Sequence, residues 1–298
     1  MVDINPPRIL VIAGPTASGK SDLAISLAQH LDGEIISADS RQVYRGMDIG
    51  TGKVTKRQQR QARHWMIDIA SPKRSYTVAH FKRDAQKAIR SIIRRGKLPI
   101  ICGGTGFWID ALIYDQSIPD VAPNPKLRAE LQKHTPDELY RRLKRLDPAR
   151  ADAIDRHNPV RLIRALEIIL STGKPVPEAT SDKGQATSQY TVLYLALNPN
   201  PVTLLDRITK RLDARLRAGM VAEVRRLHAQ GISYKRLEAL GLEYRWVAQF
   251  LQGKVTRTAM RSGLLRDIIH YSKRQLTWWR HNKNIHWITT LNEARSLV

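Results

Sequence analysis

Short apolar runs alternate with longer stretches whose apolar residues recur every three or four positions, and this rhythm governs the first third of the chain. Arg8 to Ala13, Glu34 to Ala38 and Leu98 to Cys102 read as buried strands, and Trp65 to Ile69 as another. Between them, Asp22 to Leu31 places Leu23, Leu27 and Leu31 on one helical face. Thr77 to Arg95 carries Val78, Phe81, Ala85, Ile89 and Ile92 on one stripe and ends at a C′ glycine, Gly96. Strands alternating with helices predict a parallel sheet. The rhythm stops near Ile118. Pro123 to His134, Pro136 to Leu146 and Pro159 to Ser171 read as proline-entered helices, followed by a Ser/Thr/Gly/Lys linker over 180–188. Tyr190 to Leu197 then restores an apolar strand, read as the last of the sheet. Helices over Pro201 to Ala218, Met220 to Gln230 and Met260 to Trp278 follow, with a strand-like Ile285 to Ile288. The expected class is α/β: a parallel-sheet core in 1–117, an all-helical insertion in 118–189, and a return to the core with a basic helical C-terminal region in 190–298.

The first strand–helix junction carries candidate chemistry. Gly14, Pro15, Thr16, Ala17, Ser18, Gly19, Lys20 and Ser21 fit G-x-x-x-x-G-K-[ST], with a strand before and a helix after, so the core is P-loop NTPase-like. Such a loop turns backbone N–H groups onto phosphate at a helix N-terminus. Lys20 would reach the outer phosphate and Ser21 would ligate Mg²⁺. Asp39 follows the second strand, where ligands of open α/β sheets sit. It suits a metal ligand or general base there, or a structural cap of the next turn. Gly103-Gly-Thr-Gly106 forms a second strand–glycine–helix junction. Its Thr105 either donates into the same crevice or caps the helix beginning near Phe107. Cys102 reads as a packed core residue rather than a nucleophile. A motor ATPase is disfavoured, because no apolar strand ends in the Asp-Glu pair expected of one, although Met66-Ile-Asp68 is a weak Walker B candidate. No Cys/His spacing suggests a zinc site.

Charge changes the picture. Fifty lysines and arginines against 27 acids give +23 over 298 residues, an excess that costs self-repulsion unless a polyanion offsets it. Nucleic acid is the economical partner. Basic stretches recur: Lys53 to His64 has five Lys/Arg and no acid, and is either an exposed helix touching a polyanion or a solvated surface. Arg207, Arg211 and Arg215 share one helix face. Tyr271 to Arg280 interleaves bases with aromatics, as a nucleic-acid surface does. No apolar run is long enough to span a membrane, and the N-terminus lacks the look of a secretory leader. The single cysteine suits a reducing compartment, so the expected location is cytoplasmic.

Taken together, these stretches resemble the tRNA dimethylallyltransferases, also called tRNA isopentenyltransferases, from roughly Arg8 to Ile288. The markers are Gly14 to Ser21, Asp39-Ser-Arg-Gln-Val-Tyr44, Met47-Asp-Ile-Gly-Thr51, Gly103-Gly-Thr-Gly106, Asn158-Pro-Val-Arg161-Leu-Ile-Arg164-Ala-Leu-Glu167 and Lys273-Arg-Gln-Leu-Thr-Trp278. The chain departs from the family's usual residues at Gly241 to Arg245, at Ile268 to Ser272 and at Arg215.

The resemblance implies that the loop holds the diphosphate of dimethylallyl diphosphate, with Mg²⁺ as cofactor. The prenyl carbon would be attacked by N6 of adenine 37, next to the anticodon of a tRNA, and Asp39 would act as general base. Thr105 and Arg211 would help hold the diphosphate. The adenine would be flipped from the anticodon stem-loop into a channel between the core and the insertion. Asp39, Ser40, Arg41, Gln42, Thr105, Arg128, Arg161, Arg164, Arg245, Lys273, Arg274, Gln275 and Arg280 would contact the RNA, and the expected assembly is a monomer. Two rivals stand beside this: a P-loop kinase of a small molecule or nucleotide, and a catalytically idle RNA-binding protein.

Overall fold

The computed structural model describes residues 6–119, 121–177 and 189–298; the linker expected over 180–188 lies outside them. The chain forms two compact units, Met1–Asp115 with Lys183–Val298, and Gln116–Asp182.

The larger unit is built on a six-stranded, wholly parallel sheet. Its strands are β1 (Arg8–Ala13), β2 (Gly33–Ser37), β3 (His64–Trp65), β4 (Leu98–Cys102), β5 (Thr191–Leu197) and β6 (Ile285–Ile288), in the order β3-β2-β4-β1-β5-β6. β1 is central, pairing Leu10 with Ile100 on one side and with Leu193 on the other. The period-2 alternation of a strand sends successive side chains to opposite faces. Ile9, Val11, Ile36, Ile101 and Tyr194 therefore enter one hydrophobic layer, while Leu10, Ile12, Ile35, Ile100 and Leu195 enter the other.

The second layer is closed by α1 (Lys20–His30), through Leu23, Ala24 and Leu27. After the short exposed α2 (Lys56–Gln61), α3 (Val78–Arg94) covers the first layer with Phe81, Ala85, Ala88, Ile89 and Ile92. Each large apolar side chain buried here contributes about 1.5–3 kcal/mol. Phe81 stacks on Trp108 of α4 (Gly106–Ile113), with centroids 4.5 Å apart.

The smaller unit holds α5 (Pro125–Leu131), α6 (Pro136–Leu146), α7 (Pro148–Ala153) and α8 (Pro159–Thr172), all with proline in the first turn. They pack around Leu131, Leu139, Leu143, Leu162 and Leu166. The chain then returns to the larger unit through α9 (Pro201–Arg217), α10 (Met220–Ala229), α11 (Tyr234–Ala239), α12 (Leu242–Leu251), α13 (Arg257–Arg280) and α14 (Leu291–Ser296). Among the described residues no helix is long and apolar enough to cross a membrane.

Three expectations are corrected. Tyr190 to Leu197 is not the last strand, because β6 pairs beyond it from Tyr194 with Ile285 to Leu197 with Ile288. The strand expected over Trp65 to Ile69 stops at Trp65. Met66 and Asp68 sit at positive φ (65° and 57°), and Asp68 turns to accept from the buried Lys53 ammonium instead of acting as a Walker B carboxylate. Trp279 is fully buried against Tyr194, and Trp278 donates its indole N–H to Asp110 at 3.0 Å. Of the expected aromatic and basic surface, both indoles are thus tied to the core, while Lys273, Arg274 and Arg280 stay exposed.

Candidate active site

Because β4 lies between β2 and β1, the loops leaving their carboxyl ends are neighbours: Gly14 to Gly19, Ala38 to Gln42, and Gly103 to Thr105. The first requires unusual backbone. Gly14, Ala17 and Gly19 adopt φ of 142°, 61° and 95°, and Gly19 caps α1 without a side-chain hydrogen bond. The first-turn N–H groups of α1 have no intrahelical acceptor and carry the positive end of the helix dipole, so the loop is a ready anion cradle. The Lys20 ammonium reaches the Pro15 carbonyl at 3.1 Å. Burial lowers its pKa, Arg211 pushes the same way, and Asp39 opposes.

Asp39 does act as the cap of its own turn: Oδ1 accepts the N–H groups of Arg41 (2.8 Å) and Gln42 (3.3 Å). This uses one oxygen and aims the carboxylate at a small cavity of about 60 Å³, shared with Thr16, Lys20, Ser21, Cys102 and Arg211. The structural and chemical readings of Asp39 are therefore compatible. Thr105 occupies the N-cap position of α4 but makes no side-chain cap bond. Its Oγ1 instead accepts the Ser40 N–H at 3.3 Å, tying the Asp39 turn to the glycine loop. Gly103 has no room for a side chain, because a Cβ there would strike the Ala38 carbonyl.

Arg211 of α9 donates to the Gly52 carbonyl at 3.2 Å. Burial and Arg215 lower its pKa to about 10, so it stays charged at neutral pH. Arg215 donates to Gly50 O and pairs with Glu243 at 3.0 Å. Burial raises the Glu243 pKa against that pairing. The Met47 to Thr51 turn, which has no regular structure, is held by Glu223 of α10. That carboxylate accepts the N–H groups of Asp48, Ile49 and Gly50 at 2.9, 2.7 and 3.0 Å, and the Tyr244 hydroxyl at 2.8 Å.

Two larger cavities adjoin the small one. An open cleft of about 670 Å³ shares Lys20, Ser21 and Arg211 with it and adds Arg207 and Arg215. A pocket of about 180 Å³ shares Thr16, Asp39 and Thr51 with the small cavity and adds Leu240, Leu242, Ile268 and Tyr271. Cys102 is packed, and burial pushes its thiol up to about 12, which leaves it inert at neutral pH.

The RNA candidates divide. Arg245, Lys273, Arg274 and Arg280 are exposed on the larger unit, as is Arg161 on the smaller. Ser40, Arg41 and Gln42 form the Asp39 turn itself. Arg128 and Arg164 both bind the fully buried Glu167, the first through two bonds of 2.8 and 2.7 Å, the second through one of 2.7 Å, while their side chains stay partly exposed. Their guanidinium groups help build the smaller unit. Gln275 is buried with both ends of its amide used inside the protein. Sequence reasoning missed Glu223 and Glu243 as site residues and read Tyr271 only as part of a nucleic-acid surface. Only an acid or aromatic at a helix position facing the core could have flagged them.

A sequence profile of the IPP transferase family matches residues 42–282. The chain belongs to this family. Among its relatives, tRNA dimethylallyltransferase 1 of Trichlorobacter lovleyi is 43% identical over 95% of this chain and 93% of its own length. The tRNA dimethylallyltransferase of Alkaliphilus oremlandii is 38% identical over 96% and 92%. The crystal structure of the tRNA isopentenylpyrophosphate transferase of Bacillus halodurans superposes with a TM-score of 0.72 at 34% identity, covering 97% of this chain and 95% of that one. A eukaryotic dimethylallyltransferase acting on tRNA gives 0.79 at 26% identity, over 98% and 78%. These family members share the P-loop-like fold, and none of them favours the kinase reading.

Proposed function

We propose that this chain transfers a dimethylallyl group from dimethylallyl diphosphate to N6 of adenine 37 of tRNA, releasing diphosphate. The observation that carries it is the small cavity where the Asp39 carboxylate meets Lys20, Ser21 and Arg211. A base and a leaving-group site open on one space. In the reaction, the C–O bond to diphosphate breaks as the N6–carbon bond forms, and the N6 proton passes to Asp39. The amine acidifies as it bonds to carbon, which lets a carboxylate take its proton. The α1 N-terminus, Lys20 and Arg211 would stabilise the charge growing on the leaving diphosphate. Thr105, through Ser40, keeps the Asp39 turn in place.

Mg²⁺ suits the donors present. Ser21 offers a hydroxyl beside the phosphate cradle. Among the described residues no group of three or more His, Cys, Asp or Glu could hold a metal unaided. That matches an ion bound mainly through substrate phosphates and water. When bound, the ion would lend charge to the leaving diphosphate. The adenine must leave its stack to reach Asp39. The pocket lined by Leu240, Leu242, Ile268 and Tyr271 includes Asp39 in its wall. Exposed Arg245, Lys273, Arg274 and Arg280 would meet the RNA backbone, and the net charge of +23 suits such a partner. A single buried cysteine suits a reducing compartment, and we place the enzyme in the cytoplasm.

The test is transfer of labelled dimethylallyl from its diphosphate to an anticodon stem-loop with Mg²⁺, for wild type and Asp39→Asn. Label on the RNA with wild type and a loss of at least ~100-fold in the variant is expected. Equal transfer by both would remove Asp39 from its role. No transfer by wild type would sink the assignment.

A further inference from the structure

Gln275 is the residue in the Lys273-Arg-Gln stretch that the proposed reaction leaves without a part. It is 6% exposed, and its amide spans two of the three loops that build the site. Oε1 accepts the Thr16 N–H of the phosphate loop at 2.8 Å, and Nε2 donates to the Gly104 carbonyl at 2.8 Å. Gly104 admits this approach because it has no side chain; a Cβ there would run into Nε2. The next residue, Thr105, holds Ser40, and Ser40 adjoins Asp39. One buried amide thus joins the loop for the leaving group to the loop that carries the base, through Gly104, Thr105 and Ser40. Its own helix is fastened nearby, where Trp278 donates to Asp110 of α4.

We propose that Gln275 is a positioning residue for the transfer. It fixes the separation between the diphosphate cradle and Asp39, so that the donor carbon lies in line between its leaving oxygen and N6. The chemistry demands an amide. A carboxylate accepts from Thr16 but cannot donate to Gly104, a thioether does neither well, and only Gln or Asn sets an acceptor oxygen and a donor nitrogen side by side on one amide. Asn is one methylene short of spanning the same two partners. The inference rests on the transferase reading, since it assigns Gln275 to the alignment of that reaction.

The experiment compares wild type with Gln275→Glu, Gln275→Met and Gly104→Ala. It measures kcat and KM for transfer to the stem-loop, and the Kd of inorganic pyrophosphate. A displacement on the order of 1 Å costs ~100-fold in rate. The expected result is therefore a ~100-fold fall in kcat, with the pyrophosphate Kd and the stem-loop KM within about threefold of wild type. Gly104→Ala disturbs the same bond from the opposite side and serves if the Gln275 variants do not fold. Variants that keep kcat overturn the proposal. So do variants whose pyrophosphate binding falls as far as their kcat, because Gln275 would then only support the fold of the loop. Wild-type protein that transfers nothing would overturn the transferase reading instead, a result distinguishable from both.

Discussion

Glu167→Gln is the sharpest test of how the smaller unit is held together. Glu167 is fully buried on α8, and four donors converge on it: two from Arg128, one from Arg164 and the Asn124 N–H. Burial alone would raise its pKa, but the bonds from Arg128, Asn124 and Arg164 outweigh that and hold it at about 2, against an ordinary 4.5. At about 1.4 kcal/mol per unit, this is worth roughly 3 kcal/mol. Breaking a buried ion pair costs about 3–5 kcal/mol. Here the two arginine side chains are 38% and 35% exposed and can rehydrate, so the lower end applies. None of the six tryptophans lies in 116–182, so fluorescence reports the larger unit, and hydrogen exchange over α5 to α8 reports the smaller. At pH 7 the substitution should speed exchange in those helices by ~100-fold, the equivalent of about 3 kcal/mol. The folded pKa lies below the unfolded one, so the contribution is full above pH 4.5 and fades as pH falls towards 2. Wild-type protection should decline across that window, and the variant should show no such decline. Exchange within threefold of wild type at pH 7 would refute the reasoning.

Three further outcomes follow from the same contacts. Glu223→Gln sets an amide N–H against backbone donors, costs about 1–3 kcal/mol, and should weaken pyrophosphate binding by loosening the turn that anchors Arg211; an unchanged Kd would detach the turn from the site. Arg211→Ala removes a charge-assisted donor worth about 1.5–3 kcal/mol, so pyrophosphate Kd should rise ~10- to 100-fold, and titration calorimetry showing less than threefold would exclude it. Trp279→Ala empties a fully buried indole site and should cost about 3–5 kcal/mol in denaturant unfolding; a loss under about 1 kcal/mol would mean that the core closes over the gap.

The phosphate loop was legible because its signal is local: glycines at positions of positive φ, between a strand and a helix. Asp39 and Thr105 were legible as strand-end residues, since a parallel sheet gathers its strand ends at one edge. What escaped depends on distant partners. Nothing near Gln275 announces Thr16, 259 residues away, and nothing near Glu223 announces the turn at Asp48, 175 residues away. Arg128 and Arg164 read as RNA contacts, and the acid that also holds them is visible only once α5 and α8 are packed. Trp65 to Ile69 has strand composition, yet the pull of Lys53 on Asp68 takes the backbone out of the sheet. The aromatics at Trp278 and Trp279 suited either a nucleic-acid face or a core, and packing chose the core.

The two outermost strands have a consequence for life at high concentration. β3 has two residues and β6 has four, so neither border of the sheet offers a long row of open peptide groups. Beside β3, Arg63 and Arg95 flank the Trp65 ring, with guanidinium carbons 4.4 and 5.6 Å from its centroid. A foreign strand approaching that border would meet two cations before it met a hydrogen-bonding partner. Short, charged borders of this kind discourage edge-to-edge stacking into aggregates. A chain with a buried, strand-rich centre can therefore accumulate without its sheets joining end to end.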